Sequence, residues 1–159
     1  MNDEESLCSR CAREGVTCCQ FTRIFLTLGD MERITASGAR DFHEYANIPW
    51  AGNAELDPAW RRTFRDDGQR RVLRRSPDGK CILLGSGGCA LDLSARPLLC
   101  RLYPFDYDDG RIKGVHAHRC PYPESVNAPL LLALLGMNRE TAEVWRAEFY
   151  REIEAEFPA

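Results

Sequence analysis

The chain has 159 residues, 44% of them hydrophobic, and a formal net charge of -3. That length suits one domain with at most an appendage, and the hydrophobic share allows a packed core. The slight acidity supplies no bulk field to draw the protein onto nucleic acid or an anionic membrane.

The first residues, MNDEESL, have neither a basic start nor an apolar stretch, so no secretory signal is expected. The longest apolar run, Pro129 to Leu135, falls well short of a bilayer span. A soluble cytoplasmic protein is therefore the expectation, and in that compartment thiols stay reduced.

Residues 1–20 are polar and cysteine-rich and read as loop. Gln20 to Leu28 is rich in β-branched and aromatic residues, which suits a strand. Thr27 followed by Asp30 is a helix-start signal, predicting a helix over Gly29 to Ala36 that Ser37-Gly38 interrupts. A second helical piece is expected over Ala39 to Ala46. Asn47 to Asp57, with Pro49, Trp50 and Gly52, reads as loop. Asp57-Pro58 opens a short helix, with Asp as N-cap and Pro in the first turn, ending near Asp67-Gly68.

Arg70 to Arg75, a turn at Ser76-Pro77-Asp78-Gly79, and Lys80 to Leu84 read as strand, turn, strand. Gly85-Ser86-Gly87-Gly88 is a tight turn that delivers Cys89. Leu91 to Leu102 is expected to be a short helix broken near Pro97. Asp106 to Val115, with Asp109-Gly110 at its centre, is a hairpin signal. From Ala128 the texture changes. Asn138 can cap a helix running to about Phe157, with Thr141, Trp145, Phe149, Ile153 and Phe157 spaced by four as one apolar stripe. Core packing is the expected use of that stripe. The fold class is thus α+β: a small, irregular, metal-organised domain of short helices and hairpins over 1–127, with a helical extension over 128–159 packing on it.

Eight cysteines are the chemistry of the chain. Cys8, Cys11, Cys18 and Cys19 crowd the start, and Cys81, Cys89, Cys100 and Cys120 follow. Thiolates are strong, soft ligands for zinc and iron–sulfur clusters. The spacing of Cys8 and Cys11 lets both sulfurs face one metal. Neighbouring side chains on an extended backbone point apart, so Cys18 and Cys19 suit two adjacent sites or a spread cluster. A disulfide framework is the competing account of an even count, disfavoured in a reducing compartment.

These residues carry a resemblance. Cys8-x2-Cys11 and Cys18-Cys19, then Arg96-Pro97-Leu98-Leu99-Cys100-Arg101-Leu102-Tyr103-Pro104-Phe105 and a lone Cys120, resemble the YkgJ-type cysteine-cluster family, a zinc- or iron-chelating domain. The likeness spans roughly 8–121 and includes Cys81 and Gly88-Cys89. It implies a metal-bound module, with either zinc or an iron–sulfur centre of the 4Fe–4S kind, and tips the balance slightly toward iron–sulfur. Some larger relatives act as flagellin lysine N-methylases. This chain lacks their additional region and any nucleotide loop, so methylase activity is not carried over.

Around the thiols, Arg96 and Arg101 flank Cys100 and could steady a negatively charged thiolate site; an anionic ligand bound there is the alternative. Tyr103, Pro104 and Phe105 look like apolar cover. His116 and His118 read as an exposed pair before auxiliary ligands, and His43 as ordinary surface. The basic run of Arg61, Arg62, Arg65, Arg70, Arg71, Arg74 and Arg75 is interrupted by Asp66 and Asp67, which favours a solvated or internally paired face over a phosphate contact. Metal binding is the functional expectation. A cluster-dependent redox or group-transfer enzyme and a zinc-stabilised partner- or nucleic-acid-binding module are the alternatives. The partner, protein or small molecule, is left open, with nucleic acid disfavoured.

Overall fold

In the computed structural model, residues 23–47, 57–115 and 128–159 are described. Cys8, Cys11, Cys18, Cys19 and Cys120, together with His116 and His118, lie outside the described residues.

The Thr27–Asp30 signal is a complete capping box. Asp30 donates its backbone N–H to the Thr27 hydroxyl (3.0 Å), and Thr27 donates its own to Asp30 Oδ2 (3.1 Å). Two orphan donors are satisfied reciprocally, and α1 runs over Leu28–Ala36. It stops at Ser37, with Gly38 in the left-handed region at φ 96°.

The expected helix over Ala39 to Ala46 is not formed. Residues His43–Asn47 make strand β1, antiparallel to β2, Gln69–Leu73, with Tyr45 opposite Arg71. Two facts explain the difference. Asp41 takes a positive φ of 52°, which breaks a helix through this stretch. Strand β2 also offers a ladder, and non-local pairing overrides a weak local preference.

The strand expected over Gln20 to Leu28 shrinks, among the described residues, to a bridge. Phe25 pairs with Val72, Leu26 N–H donates to the Arg71 carbonyl (3.0 Å), and Leu73 N–H donates to that of Ile24 (2.9 Å). Strand β2 is thus held on both edges. Because successive side chains alternate across an extended chain, Phe25 and Leu26 enter different parts of the core.

Asp57 caps α2, Pro58–Arg62, by accepting the Ala59 N–H (3.1 Å). The helix ends earlier than Asp67-Gly68, because the Thr63 hydroxyl donates to the Trp60 carbonyl (2.7 Å) and a turn at Arg65–Gly68 follows. The hairpin expected over residues 70–84 is reduced to the turn at Ser76–Gly79 and a single bridge between Arg75 and Cys81. The first strand pairs with β1 instead, and Leu84–Gly85 (β3) turns back on Gly88–Cys89 (β4). The expected helix broken at Pro97 is a 3-10 turn, Leu93–Ala95, followed by α3, Leu98–Leu102. The Asp109-Gly110 hairpin joins β5, Phe105–Tyr107, to β6, Ile112–Val115.

Helices α4, Ala128–Leu134, and α5, Arg139–Glu156, follow, and Asn138 caps α5 by accepting the Thr141 N–H (2.9 Å). The molecule is an α+β assembly of short helices and small antiparallel sheets closed by a long C-terminal helix. The apolar stripe of α5 packs inward as expected. Phe149 and Ile153 are fully buried against Phe25, Leu98, Leu102 and Ile112, with Trp145 and Phe157 partly buried beside them. A second cluster gathers Leu26, Ile34, Phe42, Leu73, Leu91 and Ala95. Among the described residues no helix is long and apolar enough to cross a membrane.

Tyr150 of α5 is buried and donates its hydroxyl to the Asp57 carboxylate. Burial and that carboxylate push the phenol well above its ordinary 10.0. The folded state therefore holds this proton more tightly than the unfolded chain does. The associated stability is complete below the unfolded value and drains as pH rises through it toward the folded value. Denaturant titrations from pH 9 upward should show a fall of up to about 1.4 kcal/mol per pH unit from this group. Tyr150→Phe should remove that share of the slope; an unchanged slope would assign it elsewhere.

Candidate metal centre

Three of the eight cysteines lie among the described residues, and three separate stretches of chain supply them. Cys81 follows the turn at Ser76–Gly79 and bridges to Arg75. Its carbonyl accepts the Leu84 N–H (3.0 Å), curling the chain into β3. Cys89 ends β4, opposite Leu84. The turn between them needs Gly88, whose φ of 105° a residue with a Cβ adopts only under strain. Cys100 sits in the middle of α3.

All three are half-buried, and all three pack against the cluster of Leu26, Ile34, Phe42, Leu73, Leu91 and Ala95. Three cysteines spread over positions 81 to 100 thus share one apolar floor. No two of the described cysteines are joined to each other by a disulfide. Among the described residues no group of three or more His, Cys, Asp or Glu is arranged to hold a metal ion.

The helix that carries Cys100 is tied at its start by a carboxylate that reads from sequence only as a helix-start signal. Asp30 is fully buried. Its Oδ1 accepts the backbone N–H of Leu98 (3.0 Å) and a guanidinium N–H of Arg33 (2.7 Å), while Oδ2 takes the Thr27 N–H. Arg33 continues the network to Glu152 (2.6 Å) and Glu148 (3.2 Å) of α5. Burial pushes the Asp30 carboxyl up, against the pull of Arg33 and of the two backbone donors. The Thr27 hydroxyl donates to Glu152, whose carboxylate lies over Gly29; a Cβ there would meet it at 2.3–2.5 Å.

Arg96 and Arg101 do not point their hydrogen bonds at an anion in the described structure. Arg96 Nε donates to the Leu91 carbonyl (3.0 Å). Arg101 donates to the carbonyls of Arg96 (2.8 Å) and Ser94 (2.6 Å), and its guanidinium lies 5.8 Å from the Trp145 ring centroid. Together they fasten the stretch that runs from Cys89 to Cys100. Burial, with Arg33 nearby, pulls the Arg101 guanidinium below its ordinary value. Phe105 is buried in the main cluster, so it serves the core at large.

The arginine run is largely engaged within the molecule. Arg62 pairs with Glu154 (2.7 Å) and Arg71 with Glu156. Arg70 is buried over the Phe64 ring (3.4 Å to the centroid) and donates to the Trp60 carbonyl (2.9 Å). Burial lowers it to about 10. Arg65 lies over Tyr45 and Arg74 reaches the His43 carbonyl. His43 is a half-buried strand residue whose ring lies tilted to Phe42 and edge-on to Tyr45.

The chain matches no family model, no curated protein and no solved structure.

Proposed function

We propose that this chain is a metal-binding cysteine-cluster protein, in which Cys8, Cys11, Cys18, Cys19, Cys81, Cys89, Cys100 and Cys120 hold zinc or an iron–sulfur centre. The observation that supports the reading is that Cys81, Cys89 and Cys100, all half-buried, pack against the same apolar cluster. The chemistry of the donors suits the group: soft thiolates are strong ligands for zinc and iron–sulfur centres, and an apolar surround tunes such a site. The likeness to the YkgJ-type family points the same way, and residence in a reducing compartment would keep the thiols available.

In this reading Cys81, Cys89 and Cys100 each supply a thiolate, and each is completed as a ligand set by thiolates from outside the described residues, since the three do not form a ligand group by themselves. Cys18 and Cys19 serve different metal atoms, for the reason of alternation given above. When bound, the metal supplies cross-links between distant segments and, if it is an iron–sulfur centre, an electron-transfer site. Arg96 and Arg101 hold the Cys89–Cys100 connection through the carbonyls of Leu91, Ser94 and Arg96. The internal pairing of the arginine run favours this reading over a nucleic-acid module.

A thiol titration tests it. With metal in place, the cysteines of the native protein should resist a thiol reagent. After the metal is removed anaerobically, all eight should react without added reductant. A requirement for reductant would point to disulfides instead, and full reactivity in the untreated native protein would defeat the reading.

A further inference from the structure

We infer that Asp30 is a positioning residue for the metal centre, acting through helix α3; this rests on the metal-binding reading above. Helix α3 has only five residues, Leu98–Leu102, and its N-cap is Pro97, which offers no side chain to its orphan N–H groups. A helix this short does not persist by itself. Its first N–H, from Leu98, donates instead to Asp30 Oδ1, 68 residues away in sequence and fully buried. Cys100 follows half a turn later.

Asp30 is itself immobilised. Its other oxygen takes the Thr27 N–H, and Arg33 ties it to Glu148 and Glu152 of α5. The direction and depth of α3, and so of the Cys100 thiol, are set by a carboxylate locked into the capping box of α1. The capping box thereby has two functions: it starts one helix and aims the first turn of another. A neutral amide at position 30 keeps the shape and one acceptor. With one acceptor oxygen it cannot serve the N–H groups of Leu98, Arg33 and Thr27 together, so the junction that holds the start of α3 is loosened while the core stays filled.

The test compares wild type, Asp30→Asn and Glu156→Gln, each purified anaerobically with its metal. Glu156 accepts the Leu28 N–H (3.1 Å) and pairs with Arg71, so its variant disturbs the same end of α1 without touching α3. Two quantities are followed: transfer of metal to a competing chelator, and hydrogen exchange at the Leu98 amide. Asp30→Asn should weaken metal retention by about 10–100-fold, the usual effect of losing an outer partner of a metal site, and should expose the Leu98 amide. Glu156→Gln should retain metal as wild type does. Unchanged retention in Asp30→Asn, or an equal loss in Glu156→Gln, would overturn the positioning role and leave metal binding standing. A wild-type chain without metal would overturn the metal reading and this inference with it.

Discussion

If the chain binds metal as proposed, stripping that metal is expected to unfold the stretch between Arg75 and Pro97 while the C-terminal helix stays formed. That stretch has little structure of its own. Strands β3 and β4 have two residues each, the Arg75–Cys81 contact is a lone bridge, and the 3-10 turn covers three residues. A two-stranded ribbon of this size is not stable alone in water. Ligation at Cys81 and Cys89 would hold it, and structural zinc can contribute on the order of 10 kcal/mol to folding, as much as the whole stability of a typical domain. Hydrogen exchange should therefore show amides 81–96 losing protection on metal removal. Amides near Phe149 and Ile153, packed on a cluster that contains none of the described cysteines, should keep much of theirs. Equal protection of residues 81–96 with and without metal would contradict this expectation.

Phe149→Ala should be the most damaging single change in the C-terminal helix. Phe149 is fully buried and meets Trp60 (ring centroids 5.5 Å apart), Tyr107 (6.4 Å) and Tyr150 (5.4 Å). These rings come from α2, β5 and α5, so the cavity would open where three elements meet and cannot easily collapse. A loss of about 3–5 kcal/mol in chemical denaturation is expected. Val144, on the exposed face of the same helix, is the control: Val144→Ala should change stability by less than about 0.5 kcal/mol. Similar losses at both positions would mean that the helix is not seated as described.

Local signals are legible in the sequence. Thr27 with Asp30, Asp57 with Pro58, and Asn138 each announce a helix start through chemistry confined to four residues, and each is a cap in the structure. The four-residue spacing from Thr141 to Phe157 likewise declares its buried face, because helix geometry alone decides which side chains align. Residues 43–47 form a strand where local sequence suggests a helix because their partner, β2, lies about 26 residues further along the chain. The bond from Leu98 to Asp30 was invisible for the same reason. Asp30 reads as a cap from sequence, and nothing local shows that its second lone pair serves another helix.

For the candidate centre, the cysteines were legible as a set, since eight thiols in 159 residues ask for a common purpose. Their convergence was not. That Cys81, Cys89 and Cys100 share one floor depends on Leu26, Ile34 of α1 and Leu73 of β2 meeting from separate stretches of chain. Arg96 and Arg101, read as partners of an anion, instead give their hydrogen bonds to the carbonyls of Leu91, Ser94 and Arg96. Guanidinium groups beside a cysteine can serve either the metal or the backbone that carries it, and sequence does not separate the two.

The most direct measurement is the metal and acid-labile sulfide content of anaerobically purified protein, taken with its absorption spectrum. Metal binding predicts a stoichiometric metal in each chain: either colourless protein with zinc, or brown protein with iron and sulfide. Metal-free protein with reduced thiols and a native circular dichroism spectrum would contradict it.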